Sequence, residues 1–196
     1  MASLRLLILA AGFSALTLSA SAGPGRPAKS KPKGTSAKLL SSSVIPAPQG
    51  WEKEEVLTRS DPYVSFSSGV DTIKARVLGG PGSRYAKPDD FLKGFEATTM
   101  GRPPEQVRQV KVAGEEVALY RHGYPVMLGD PHVRDPEPPR LAFEEFVVLP
   151  QGSRFFVLSW AHDSPIPDPY AAGDKEWERF LASFSPKAGA LPKKKR

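Results

Sequence analysis

Two runs of adjacent large apolar residues, Phe146-Val147-Val148-Leu149 and Phe155-Phe156-Val157-Leu158, flank the turn residues Pro150-Gln151-Gly152-Ser153. A strand with one wet face would alternate apolar and polar residues. Runs like these suit strands contacted on both faces, at the centre of a sheet. Strands are therefore expected from about Ala142 to Leu149 and from Arg154 to Ala161. Downstream, Trp177, Phe180, Leu181 and Phe184 recur at i, i+3, i+4 and i+7, an apolar face at helical period. That helix is expected to start at Gly173 or Asp174 and to stop by Pro186. Burying each of its large side chains is worth ~1.5–3 kcal/mol, enough to pin it to the sheet. Residues 141–184 thus read as the core of the domain, and a site is expected at its loop edges.

The preceding chain predicts more sheet and one more helix. Leu39–Ile45 is read as a short edge strand, followed by a turn over Pro46–Gly50, where two prolines remove ladder donors. Trp51 is expected to dock on the core. Strands are expected at Glu55–Arg59 and Tyr63–Ser67, and most clearly at Asp71–Leu78. There Ile73, Ala75 and Val77 share one face, while Thr72, Lys74 and Arg76 share a wet one. Pro88, Asp89 and Asp90 suit the first turn of a helix over 87–96, with Phe91, Leu92 and Phe95 as its apolar stripe. Val107–Val112 and Glu116–Arg121 flank Ala113-Gly114-Glu115, a hairpin signal.

The N-terminus has the layout of a secretory signal. One positive charge precedes the uncharged apolar run Leu6–Leu18, and Ser19-Ala20-Ser21-Ala22 supplies small residues for cleavage. Thirteen apolar residues fall short of a membrane span, which takes about 20. The expected division is a signal peptide at 1–22, a flexible basic linker at 23–38, one α+β domain at 39–186 and a basic disordered tail at 187–196. An exported product, periplasmic or extracellular, follows from that signal. The absence of cysteine closes both the disulfide and the lipid-anchor routes, so the core alone must hold the fold.

The formal charge of +6 belongs to the ends of the chain. Of 27 basic residues only 16 fall within 39–186, where all 21 acidic residues lie, so that segment carries about −5. Nucleic-acid binders place basic residues on a structured face, which argues against that class. The tails are suited instead to solvent, or to weak attraction toward anionic surfaces.

No catalytic motif is present. The glycine-rich stretch Gly79–Tyr85 lacks the Lys-Ser/Thr pair and the spacing of a phosphate loop. Its Arg84 and Tyr85 nonetheless sit where they could face a ligand, and with Arg121 they form the candidate ligand contacts. The three histidines, His122, His132 and His162, match no metal spacing. A metal site, if built, would draw on them and on Asp163, with His122 and His162 converging from strand ends. No cofactor or metal is expected. Glu144 and Glu145 are adjacent on a strand and so point to opposite faces, which excludes a carboxylate pair. The long proline-rich segment 123–140 is the other place where a site could form.

Pro48-Gln49-Gly50-Trp51, the hairpin, and the closing Trp177-Glu178-Arg179-Phe180-Leu181-Ala182-Ser183-Phe184 together resemble the PsbP/Mog superfamily and the bacterial DcrB-type envelope proteins. The resemblance covers roughly 44–185. It implies an antiparallel sheet of about six to seven strands with helices packed on it, an α/β/α sandwich of α+β class. It also implies a non-catalytic binding or assembly role, and it carries no binding residue onto this chain. The expectation is an exported accessory or binding protein of the envelope, its partner an envelope protein or a small ligand. The alternative is a small envelope metalloprotein or hydrolase that uses the 123–140 loop.

Overall fold

A computed structural model describes residues 35–98, 103–126, 140–164 and 173–186. The elements are α1 (Thr35–Ser42), β1 (Glu52–Val56), β2 (Tyr63–Ser68), β3 (Asp71–Leu78), α2 (Pro88–Thr98), β4 (Glu105–Val112), β5 (Glu115–Val126), β6 (Arg140–Gln151), β7 (Arg154–His162) and α3 (Gly173–Ser183). All seven strands form one antiparallel sheet in the order β1-β2-β3-β7-β6-β5-β4. Two meanders, β1–β3 and β4–β7, meet where β3 pairs with β7 from Asp71–His162 to Leu78–Phe155. The strand with the doubled apolar run, β7, is therefore the middle one. The α+β class and the antiparallel sheet with helices on it are as the sequence predicts.

Strand alternation divides the core in two. One face carries Val64, Phe66, Ile73, Ala75, Val77, Val147, Phe156 and Leu158, and it is covered by Leu40 of α1, by Trp177, Phe180 and Leu181 of α3 and by Phe184 just after it. Trp177, Phe180, Leu181 and Phe184 are 1–4% exposed, so the stripe is fully used. The other face carries Leu78, Phe146, Phe155 and Val157 beneath Phe91 of α2. Phe91 meets Phe146 edge-on at 5.6 Å between ring centroids, and Phe95 stacks on Phe146 at 4.8 Å. Helices on both faces make the α/β/α arrangement. No helix among the described residues is long and apolar enough to cross a membrane.

Three expectations are corrected. Residues 35–42 form a helix, where an edge strand over 39–45 and a flexible linker to 38 were expected, because Ala37 and Leu40 sit one turn apart and are both fully buried. The strand-like remnant is a single bridge from Val44 to Ser185, whose two backbone bonds of 2.8 and 3.1 Å tie the start of the domain to its end. The first strand spans 52–56 and not 55–59, and its exposed charges suit an edge that must not recruit another strand. The segment expected as a loop over 123–140 begins as strand. β5 runs to Val126 and β6 starts at Arg140, and residues 127–139 lie outside the described ones. The β4–β5 hairpin turns through Ala113 and Gly114, both with positive φ (52° and 85°), which matches the twist of the strands it joins.

Candidate functional site

The polar face of β3 is where the two halves of the sheet are covered unequally. α2 lies over Phe146, Phe155 and Leu78, with Arg76 at the edge of this footprint against the ring of Phe91 and Lys74 further along β3. The connection from β3 to α2 folds back beside them. Ser83 Oγ holds it by accepting from Gly79 N at 3.1 Å and donating to the Tyr85 carbonyl at 3.1 Å. Asp61, in a left-handed turn at φ 50°, accepts from Arg84 N at 3.2 Å and fixes the loop from the β1–β2 side. Tyr85 lies against Gly94 of α2 so closely that a Cβ there would sit 2.8 Å from its ring. The residue that shapes the helix here is thus the one that seats the tyrosine.

These elements enclose a cavity of about 440 Å³. Its polar lining is Asp61, Tyr63, Lys74, Arg76, Arg84, Tyr85, His122 and Glu144, and its apolar lining includes Leu78, Phe91 and Phe95. Arg76 lies over the ring of Phe91 at 5.1 Å, Lys74 over Tyr63 at 4.9 Å and Arg84 over Tyr85 at 5.3 Å. Burial pulls the Arg76 guanidinium below its ordinary pKa, against the opposing pull of Glu144, Tyr85 and Asp61. Burial alone would raise the Glu144 carboxyl. The bond from His122, the charge of Arg76 and the Ser159 hydroxyl outweigh it and hold Glu144 below its ordinary value.

An ionised Glu144 fixes the histidine. His122 Nε2 lies 3.0 Å from Glu144 Oε2, and a carboxylate only accepts, so Nε2 carries the proton. That leaves His122 Nδ1 buried with no hydrogen-bond partner. Arg76 Nε and Asp61 Oδ1 are in the same condition. Of the four buried side-chain atoms without partners among the described residues, three thus belong to residues of one cavity; the fourth, Gln151 Oε1 on β6, does not.

Of the residues singled out from the sequence, Arg84, Tyr85 and His122 are brought together here. Arg121 is not. It faces the opposite side, where its Nη2 and Nε donate to Glu145 Oε1 at 2.5 and 3.1 Å and its guanidinium covers Phe143. Glu145 also accepts from Trp177 Nε1 at 3.1 Å, so this cluster fastens α3 to the sheet. His162 lies on that face too. Its Nδ1 is 2.9 Å from Asp71 Oδ1, which also accepts from Trp160 Nε1 at 2.8 Å. The Asp71 carboxylate abuts Gly173 at the start of α3, a favourable place for a negative charge.

His122 and His162 do not converge. Glu144 pairs with His122 and Ala161, and Phe143 with Gly123 and His162, so the two rings stand on opposite faces. Asp163 accepts from the Tyr124 hydroxyl, and burial together with that carboxylate raises the tyrosine pKa. His132 lies outside the described residues. Among the described residues no three His, Cys, Asp or Glu side chains group as a metal site. As expected, Glu144 and Glu145 point to opposite faces.

No family model and no curated protein matches the chain. A solved structure from Bacteroides thetaiotaomicron VPI-5482 is similar to it at a TM-score of 0.42 and 12% identity, covering 76% of this chain and 47% of that one. This chain therefore spans about half the length of that protein.

Proposed function

We propose that the chain is an exported, non-catalytic binding or accessory protein of the cell envelope, and that a small ligand seats in the cavity between β3 and α2. The observation that carries this is the set of three partnerless buried atoms, on Asp61, Arg76 and His122, in residues lining one cavity. Leaving a buried donor or acceptor unsatisfied costs on the order of 1–3 kcal/mol, so three such groups around one cavity call for an explanation, and a bound ligand supplies one. A cavity of about 440 Å³ with an apolar wall and a few polar groups is in the range of small-molecule sites. Export rests on the signal-like N-terminus. The accessory role, like membership of the PsbP/Mog superfamily, rests on the residues that resemble it and on a sheet and helix arrangement of the kind it implies.

The test is a small-molecule panel followed by amide chemical shifts. Ligands that bind are expected to perturb residues around Lys74, Arg76, Tyr85 and His122 and to be recovered unchanged. Binding elsewhere would contradict the assignment of the site. Turnover of a bound compound would favour the hydrolase alternative.

A further inference from the structure

The charges of the cavity narrow what it can hold. Lys74, Arg76 and Arg84 contribute three positive charges, and Asp61 and Glu144 two negative ones. Glu144 is hydrogen-bonded by His122 and Ser159, so it meets the guanidinium by charge alone and takes no hydrogen bond from it. One positive charge is left over, and Arg76 Nε–H is a buried donor with nothing to donate to. A guanidinium in that state is best met by a planar anion, because its donors match the two oxygens of a carboxylate. Asp61 presents the complementary need. One of its oxygens takes the Arg84 amide, and the other is a buried acceptor without a donor. The rings of Phe95 and Tyr85 supply apolar wall between polar ends.

We propose that the cavity takes a small organic carboxylate that also carries a hydroxyl or amino donor, with the carboxylate on Arg76 and the donor on Asp61. This inference rests on the pocket reading above and adds the chemistry of the ligand. A neutral analogue loses the charge-assisted bond to Arg76. An acid without the donor leaves Asp61 Oδ1 unmet.

Three probes separate these contributions: 4-hydroxybenzoate, benzoate and 4-hydroxybenzamide. Each is titrated into the full chain while the Arg76 Nε–H resonance is followed, with affinities from calorimetry. 4-Hydroxybenzoate is expected to shift that resonance saturably and to bind roughly tenfold or more tighter than the amide, the usual worth of a charge-assisted bond. Benzoate is expected to fall between them. In Arg76→Met the preference for acid over amide is expected to vanish. If that variant does not fold, the Arg76 resonance of the unaltered chain still decides the matter. Equal binding of amide and acid, with pocket residues perturbed, would overturn the carboxylate and leave the pocket reading standing. Perturbation of the pocket by none of the three would overturn both.

Discussion

The two faces of the sheet handle buried charge in opposite ways. Under α1 and α3, Asp71 accepts from Trp160 and meets His162, and Glu145 accepts from Arg121 and Trp177. Each acid ties strands to one another or to α3, and its bonds end within the protein. Under α2, Glu144 is held by His122 and Ser159, but Arg76 Nε, His122 Nδ1 and Asp61 Oδ1 end nowhere. Both faces belong to the same strands, so the difference lies in coverage. The closed face spends its ionisable groups on architecture, while the face that α2 covers in part keeps some of them open. The comparison teaches where to look for function: at unsatisfied charge, more than at charge as such.

The contrast breaks most visibly on the closed side. Asp71→Ala strands the Trp160 indole and His162 in a buried place and removes the negative charge beside α3. A loss of about 3 kcal/mol or more in urea unfolding is expected, the scale for breaking a buried ionic cluster. A loss below about 1 kcal/mol would mean that the closed face is not held this way.

A smaller effect is expected at Glu144, and it should depend on pH. Its folded-state pKa lies below the ordinary 4.5, so its contribution is present above that value and is lost as pH falls through the lower folded-state value. Glu144→Gln should therefore be less stable than the unaltered chain by about 1–2 kcal/mol at pH 7, and the gap should close on acidification. Unfolding curves at neutral and acid pH check this, and a gap that widens toward acid would contradict the assigned direction.

Gly94→Ala sharpens the comparison with the least change in stability. Alanine favours a helix by about 1 kcal/mol over glycine. The new Cβ must, however, displace the Tyr85 ring, 2.8 Å away. Melting temperature should move little, while Tyr85 resonances shift and ligand affinity drops. Unchanged Tyr85 signals would show that the ring is not seated on Gly94.

The legible parts of the fold are those where local pattern and tertiary role coincide. The doubled runs of β6 and β7, the alternation of β3 and the stripe of α3 each state their own burial. The helix α1 was not legible, because two turns carrying Ala37 and Leu40 among serines are held by packing more than by propensity. The edge strand β1 lies at 52–56, earlier than its sequence suggests, because charges at 52–55 mask any period of two. The site was half legible. Arg84 and Tyr85 stand out as loop residues after a strand, and Lys74 and Arg76 stand out as a polar face. Nothing local says that α2 would cover β6 and β7 and leave that face to form a cavity wall. Nor does alternation alone say which of the neighbours Arg121 and His122 faces the cavity, only that both cannot.

The central claim is that Arg76 is kept for a ligand and not for the fold, and the stability of Arg76→Met tests it most directly. Burial lowers the pKa of this guanidinium, so its charge works against the folded state, and methionine keeps the stem and its contact with Phe91. Urea unfolding at pH 7 without ligand should give a stability within about 1 kcal/mol of the unaltered chain, or above it. A loss of about 3 kcal/mol, matching Asp71→Ala, would make Arg76 a structural ion and contradict the account.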